Sequence, residues 1–383
     1  MTSSRPPEHD SPERVGLAPP TAQRRDPWAI ALGIVGGVLL GTGLTFALLG
    51  YVGIFEEPTP PTIPPPPTVT APTATSPPAT FGDHVSMASV AARVAPSTVA
   101  VEVGTFLGAA SGSGVIYSTD GYIITNNHVI EAGGDVSVVF TDGARFPAEV
   151  VGTDPVTDIG VLLVDRENLT PVSVGSSDTL SIGEPTVAVG NPLGLVGGPT
   201  VTSGIVSALN RTLDVPGQDE PLFGLVQTDA PIAPGSSGGA LVNSAGQLVG
   251  ITTAIAVSDV GSVDLGFAVP SDIAIGVVND LINTGEVRHA MLGINGSTFY
   301  AREGGAEFPV GILVEGISDG SPYEAAGGRL NDVIVEINDF AVNTLDGLVA
   351  RLRRLREGQT VAVRILRSDD NTTLNVTMGR LNP

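Results

Sequence analysis

Tyr122-Ile123-Ile124-Thr125-Asn126-Asn127-His128-Val129-Ile130 reads as a short strand that stops at two asparagines and hands the chain to a histidine. Ile123, Ile124 and Thr125 are β-branched and Tyr122 is aromatic, the side chains a pleated surface accommodates best, whereas Asn126 and Asn127 favour a turn. Runs of the same kind recur on both sides, each cut by Gly, Asn, Asp or Pro. They are Thr98 to Val103, Gly114 to Tyr117, Val136 to Phe140, Ile159 to Val164, Thr186 to Val189, Leu225 to Thr228 and Leu248 to Ala256. Many short strands at this spacing predict a mainly β barrel or sandwich over residues 84–288, not alternating βαβ units. Helices are expected at its two ends, over His84 to Val94 and over Asp272 to Asn283, the second capped by Ser271 after Pro270.

Histidine is scarce, and of His9, His84, His128 and His289 only His128 lies inside this β-rich region. Imidazole chemistry in the region therefore falls to His128, which a strand end can aim from a rigid support. A second element is Gly235-Ser236-Ser237-Gly238-Gly239, where glycines on both sides of a serine permit a tight loop whose backbone N–H groups converge beside the hydroxyl. A third is Asp154-Pro155-Val156-Thr157-Asp158-Ile159, in which Asp158 opens an apolar strand. Together they fill the roles of acyl transfer: Ser237 as nucleophile, His128 as general base and acid, Asp158 to orient the ring. The candidate oxyanion donors are the N–H groups of Gly235 and Ser237, with Ser236 as a third.

Composition removes other chemistries. The 383 residues hold no Cys, and all 18 basic side chains are Arg, against 40 acids for a formal charge of -22. Thiol nucleophiles, disulfides, Cys-ligated metals and a P-loop lysine are excluded, and the acidity argues against a nucleic-acid partner. No H-E-x-x-H occurs, so a zinc protease is excluded too, and the serine chemistry needs no metal or organic cofactor. Gly235 to Gly239 also fits the G-x-S-x-G pattern of an α/β-hydrolase. That fold needs its histidine after the serine, where only His289 stands, at the domain junction. The non-enzymatic alternative is a scaffold or binding-only chaperone.

The rest of the chain divides by composition. Residues 1–27 are a polar tail in which Arg5, Arg14, Arg24 and Arg25 meet four acids. Residues 28–55, Trp28 to Phe55, carry no charge, and as a helix they would run about 42 Å against a hydrocarbon core of about 30 Å. This segment is expected to be an uncleaved single-pass anchor. With no basic residue between it and Arg93, the N-terminus is expected in the cytoplasm and the remainder outside. Residues 56–83 are a Pro- and Thr-rich spacer suited to extended polyproline II. Residues 289–383 read as a small mixed domain, with strands at Gly311 to Glu315, Val333 to Ile337, Val361 to Leu366 and Leu374 to Met378. One amphipathic helix, about 344–356, presents Leu345, Leu348, Val349, Leu352 and Leu355 on one face. Its Arg351, Arg353, Arg354 and Arg356 are expected on a solvated face near the helix C-terminus.

The chain resembles the HtrA/Deg family of trypsin-like serine proteases from about residue 84 to 381. The stretches that carry the likeness are Gly112 to Val115, Thr125 to Val129, Thr157-Asp158-Ile159, Ala188 to Gly194, Val201 to Ser207, Gln227 to Ala230 and Gly266 to Pro270. The resemblance implies a chymotrypsin-like double β-barrel at 84–288 with the triad His128, Asp158 and Ser237, departing from the family at Ser236, where Asn is usual. It places Pro231 and Ile232 at the substrate pocket, and this apolar pair implies cleavage after small aliphatic residues. Residues 289–383 resemble a PDZ (α+β) domain, with Met291, Leu292, Gly293 and Ile294 as the loop that receives a peptide's C-terminal carboxylate. Asn331-Asp332 and Asn338-Asp339 replace the family's Gly-containing turns, and both residue types tolerate left-handed backbone. The family implies an extracytoplasmic endopeptidase of protein quality control, acting on unfolded or mislocalised proteins as a homotrimer, with Phe81 a candidate for the subunit contact.

Overall fold

The computed structural model describes residues 86–105, 108–192, 198–215, 220–253, 265–368 and 370–381. The tail, anchor and spacer expected over 1–83, with Phe81, lie outside the described residues, as does His84. Among the described residues no helix is long and apolar enough to cross a membrane.

Helix α1 (Met87–Val94) follows Ser86 and buries Val90 and Val94. Six antiparallel strands then close a barrel: β1 (Thr98–Thr105), β2 (Gly108–Ile116), β3 (Tyr122–Thr125), β4 (Asp135–Val139), β5 (Arg145–Asp154) and β6 (Ile159–Val164). Their order is β1-β2-β3-β6-β5-β4, and β1 pairs with β4 to complete the ring. The two-residue period sends Val99, Val101 and Val103 of β1 inward against Ile123, Val138 and Leu162. Between β3 and β4 sits the single-turn helix α2 (Asn127–Ile130).

The second half repeats the plan. Strands β7 (Ser173–Val174), β8 (Pro185–Gly190), β9 (Thr200–Leu213), β10 (Leu222–Thr228), β11 (Ala240–Asn243), β12 (Gln247–Thr253) and β13 (Gly266–Pro270) run in the order β11-β8-β9-β10-β13-β12-β7. A further pairing of β11 with β12 joins β8 to β13 into a second ring. Ile124 and Val161 of the first barrel share a core with Val189 and Leu248 of the second, so the rings are packed together. Helix α3 (Ser271–Thr284) adds Val277 and Leu281 to that core.

Ser271 is not the expected cap. It is the first helical residue, entered from Pro270, and no side chain caps the helix there. Its hydroxyl instead donates to the Gly175 carbonyl at 2.9 Å and accepts the Ser177 N–H at 3.1 Å, tying α3 to the loop after β7.

The last domain contains β14 (Ala290–Met291), β15 (Ile294–Glu303), β16 (Ala306–Ile317), α4 (Pro322–Ala325), β17 (Val333–Ile337), β18 (Phe340–Ala341), α5 (Leu345–Leu352), β19 (Thr360–Arg367), β20 (Asp370–Thr377) and β21 (Gly379–Arg380). Its main sheet runs β15-β16-β17-β19-β20 with β18 on β17, and β14 pairs separately with β21. Ile312, Val314, Ile334, Leu348, Val363 and Val376 form the core between sheet and α5. Asn331, Asn338 and Asp339 do take left-handed backbone, with φ of 66°, 47° and 62°. Beside the first of these turns the buried Asp332 takes both Nε and Nη2 of Arg367, at 2.7 and 2.8 Å, which holds its carboxyl below the usual range despite burial.

The arginine run corrects the solvated-face reading. Helix α5 ends at Leu352, and the residues after it dock on the first domain: Arg353 reaches Glu220 at 3.2 Å, Arg354 pairs with Asp178 and Arg356 with Asp280. Arg353 is only 6% exposed. Arg351 stacks on Phe340, its guanidinium carbon 3.7 Å from the ring centre. The acids that meet these arginines are 76 to 176 residues away in the chain, in a domain that carries most of the negative charge.

Candidate active site

His128 stands on α2, one residue after the turn that ends β3. Its Nδ1 donates to the Asp158 carboxylate, 2.9 Å from Oδ1 and 2.8 Å from Oδ2, and its main-chain N–H also reaches Oδ1 at 3.0 Å. Asp158 is fully buried and is the last loop residue before β6, in left-handed conformation with φ 58°. The backbone is held there by Asn126, whose amide donates to the Asp158 carbonyl at 2.8 Å. From the second barrel, Thr253 Oγ1 donates to Oδ2 at 3.1 Å. A buried carboxylate with this many donors is compensated for its lost hydration and fixes the imidazole tautomer. Burial pulls the His128 pKa down, but the hydrogen bond and charge of Asp158, with the charge of Glu131, outweigh it and raise it above the ordinary value of 6.5.

The serine loop is built by the second barrel and pinned to the first. Ala233-Pro234-Gly235-Ser236 has Pro and then Gly at its centre, Gly235 at φ 86°, and a Ser236 N–H bond to the Ala233 carbonyl at 2.9 Å, the features of a type II turn. That bond uses the Ser236 N–H, so Ser236 drops out of the candidate oxyanion donors and Gly235 and Ser237 remain. Ser113 of β2 accounts for much of the pinning: its N–H donates to the Ser237 carbonyl at 2.7 Å and its hydroxyl to the Gly235 carbonyl at 2.8 Å. The same hydroxyl accepts from Asn191 N–H at 2.8 Å. Gly112 explains how the two halves approach. A Cβ there would lie 2.7 Å from both methyls of Val129 and 3.1 Å from the Ser237 carbonyl. The main chain of Ser237 and the residue after His128 thus meet across a position with no side chain. Ser237 is 6% exposed.

Pro231 and Ile232 line a cavity of about 70 Å³ together with Ala233, Ser236, Thr200 and Thr202. It is roughly half the ~150 Å³ that admits a benzene-sized guest. Met291, Leu292, Gly293 and Ile294 line a wider groove of about 520 Å³ whose far wall is Leu345, Leu348, Val349 and Leu352 of α5. Reading the sequence did not anticipate that Glu220, Pro221 and Phe223 of the first domain close this groove, nor that Asn126, Ser113 and Thr253 support the triad candidates. Each of these contacts joins distant segments and leaves no local pattern. Among the described residues no group of His, Asp or Glu is placed to hold a metal ion.

Comparison with known proteins bears on the same residues. The trypsin-like peptidase domain family matches residues 112–251, a span containing His128, Asp158 and Ser237, and the PDZ domain family matches 279–378. The chain is 38% identical over 385 residues to serine protease PepD of Mycobacterium tuberculosis, covering 94% of this chain and 80% of that relative. The structure of HtrA-type protease AlgW with tripeptide superposes with a TM-score of 0.62 at 35% identity, over 78% of this chain and 98% of that one.

This chain belongs to the HtrA/Deg family of serine proteases. Periplasmic serine endoprotease DegP of Salmonella typhimurium is 38% identical over 273 residues, which is 70% of this HtrA-family chain but 56% of DegP. The chain therefore spans little more than half of the DegP-type relatives and four fifths of PepD. It is a serine endopeptidase with one PDZ domain, and its mainly β protease domain is the double barrel described above.

Proposed function

We propose that the protein is a membrane-anchored endopeptidase that degrades unfolded or mislocalised proteins outside the cytoplasm. The observation that carries the catalytic assignment is the buried Asp158 carboxylate gripping His128 Nδ1 at the seam where the Ser237 loop is pinned to the first barrel. In this reading His128 Nε2 takes the proton of Ser237 as its oxygen attacks the scissile carbonyl, and returns it to the leaving amine. Asp158 stabilises the imidazolium, while the N–H groups of Gly235 and Ser237 receive the oxyanion. Water then cleaves the acyl-enzyme by the same proton relay. The small cavity beside Pro231 and Ile232 supports cleavage after Val or Ala, and the leucine-lined groove supports capture of C-terminal peptides with an apolar last residue.

The uncharged stretch Trp28 to Phe55 and the basic residues before it support anchoring with the protease outside. Assembly as a homotrimer follows the family expectation, and a monomer by light scattering of the detergent-solubilised chain would refute it. The deciding experiment compares wild type with Ser237→Ala on unfolded casein. Wild type should degrade it and the variant should not, whereas equal degradation, or none by either, would defeat the assignment.

A further inference from the structure

A buried histidine–carboxylate pair lies outside the triad candidates. His289 Nε2, from the segment entering the PDZ domain, lies 2.9 and 3.0 Å from the two carboxylate oxygens of Asp154 in the first barrel. His289 is 5% exposed and Asp154 4%. The ring is carried by a rigid frame: His289 bridges Arg356, and its carbonyl accepts from Leu381 N–H at 2.9 Å. Asp154 is the last residue of β5 and pairs with Ile159, the first of β6. The four residues between them form the hairpin loop that ends in Asp158. Within that loop Thr157, the residue before Asp158, donates its hydroxyl to Asp154 Oδ2 at 2.5 Å. A chain of contacts therefore runs from His289 through Asp154 and Thr157 to the backbone of the aspartate that orients His128.

That backbone is in a conformation a non-glycine residue enters at a cost, so its surroundings must hold it. Asn126 holds the carbonyl side, and the carboxylate is held by His128 and Thr253. The loop side is held by Asp154. Deprived of His289, Asp154 would lose the donor that meets both its oxygens and keep only the Thr157 hydroxyl and the charge of nearby Arg353, a pull that would draw the carboxylate away from its place and Thr157 with it.

We propose that His289 is a positioning residue for catalysis: it fixes Asp154, and through Thr157 the hairpin that presents Asp158 to His128. The proposal rests on the triad reading above and adds a residue of the PDZ domain to the machinery of the protease domain without contact to substrate.

The test uses the full chain in detergent and a chromogenic tripeptide ending in Val. His289→Ala should lower kcat about tenfold or more with KM little changed, since misplacing a catalytic group by about 1 Å can cost up to about 100-fold. His289→Gln, whose amide retains a donor for Asp154, should recover most of the loss. Because Asp158 helps raise the His128 pKa, the acid limb of the pH–rate profile should move to lower pH in the alanine variant and return toward wild type in the glutamine variant. Binding of an apolar C-terminal peptide, measured on the same samples, reports that the PDZ domain is folded. Wild-type kcat in His289→Ala, or equal losses in Ala and Gln with an unmoved acid limb, would overturn the proposal. Asp158→Asn and Ser237→Ala run alongside: full activity in either would defeat the triad reading itself, whatever His289 shows.

Discussion

At the residue scale the decisive quantity is the proton affinity of His128. Its pKa is raised in the fold, so the protonated ring is stabilised relative to the unfolded chain. The stability this contributes is fully present below the unfolded value near 6.5 and disappears as pH rises through the higher folded value. Denaturant titrations of His128→Ala against wild type should show a gap that narrows from acid to neutral pH and beyond. With His128 as the proposed general base, which must be neutral to act, the same shift puts the expected acid limb of kcat/KM above 6.5. Asp158→Asn is the informative partner because asparagine also accepts a left-handed backbone. It should keep the fold, drop kcat by about 10⁴, and lower the acid limb. His128 was legible as a candidate because histidine is so scarce that it had no competitor inside the barrel region. Thr253 was not, being one of two threonines at the end of an almost wholly buried strand, and the engagement of the Ser236 N–H by the Ala233 carbonyl shows only in the turn geometry.

Elements differ in how openly they declare themselves. β3, β6 and β17 lie where their β-branched runs are, with the boundaries read from the sequence. β5 was passed over: Phe146, Ala148 and Val150 do alternate with Arg145, Pro147 and Glu149, but a proline inside the run and wide exposure keep it from reading as a strand. β9 carries Ser203, Gly204, Ser207 and Asn210 along fourteen residues, and its strand character comes from pairing with β8 and β10 more than from propensity. The end of α5 shows the same limit for electrostatics. Nothing near Arg356 announces Asp280, yet the pair sits at the domain seam, both groups largely covered. A double-mutant cycle with Arg356→Ala and Asp280→Ala should give a coupling of about 1 kcal/mol or more in urea unfolding, above an exposed pair. Arg302 with Glu307, mostly exposed on the β15–β16 hairpin, supplies the control and should give less than about 1 kcal/mol. Equal couplings would return the Arg356 pair to the status of a surface contact.

For the whole molecule the arginines at the seam alter the meaning of the net charge. Residues 84–288 hold 5 Arg against 21 acids, while 289–383 hold 9 against 12. Docking sets Arg353, Arg354 and Arg356 against Glu220, Asp178 and Asp280, so the second domain spends part of its positive charge neutralising the first. Among the described residues, more than half of the acids of the protease domain have no such ion pair, and their summed charge gives that domain a negative field. Such a field raises the encounter rate of basic chains and is screened beyond about 10 Å at 0.1 M salt. For an arginine-rich unfolded substrate, kcat/KM should therefore fall several-fold between about 0.02 and 0.3 M NaCl, chiefly through KM, while a neutral tripeptide should be almost indifferent to salt. The alternative is that the acidity adapts the domain to a saline exterior. In that case activity on both substrates would rise with salt as self-repulsion is screened, and thermal stability would rise in parallel. Opposite slopes for the two substrates would assign the acidity to substrate attraction, and a common rise would assign it to the surroundings.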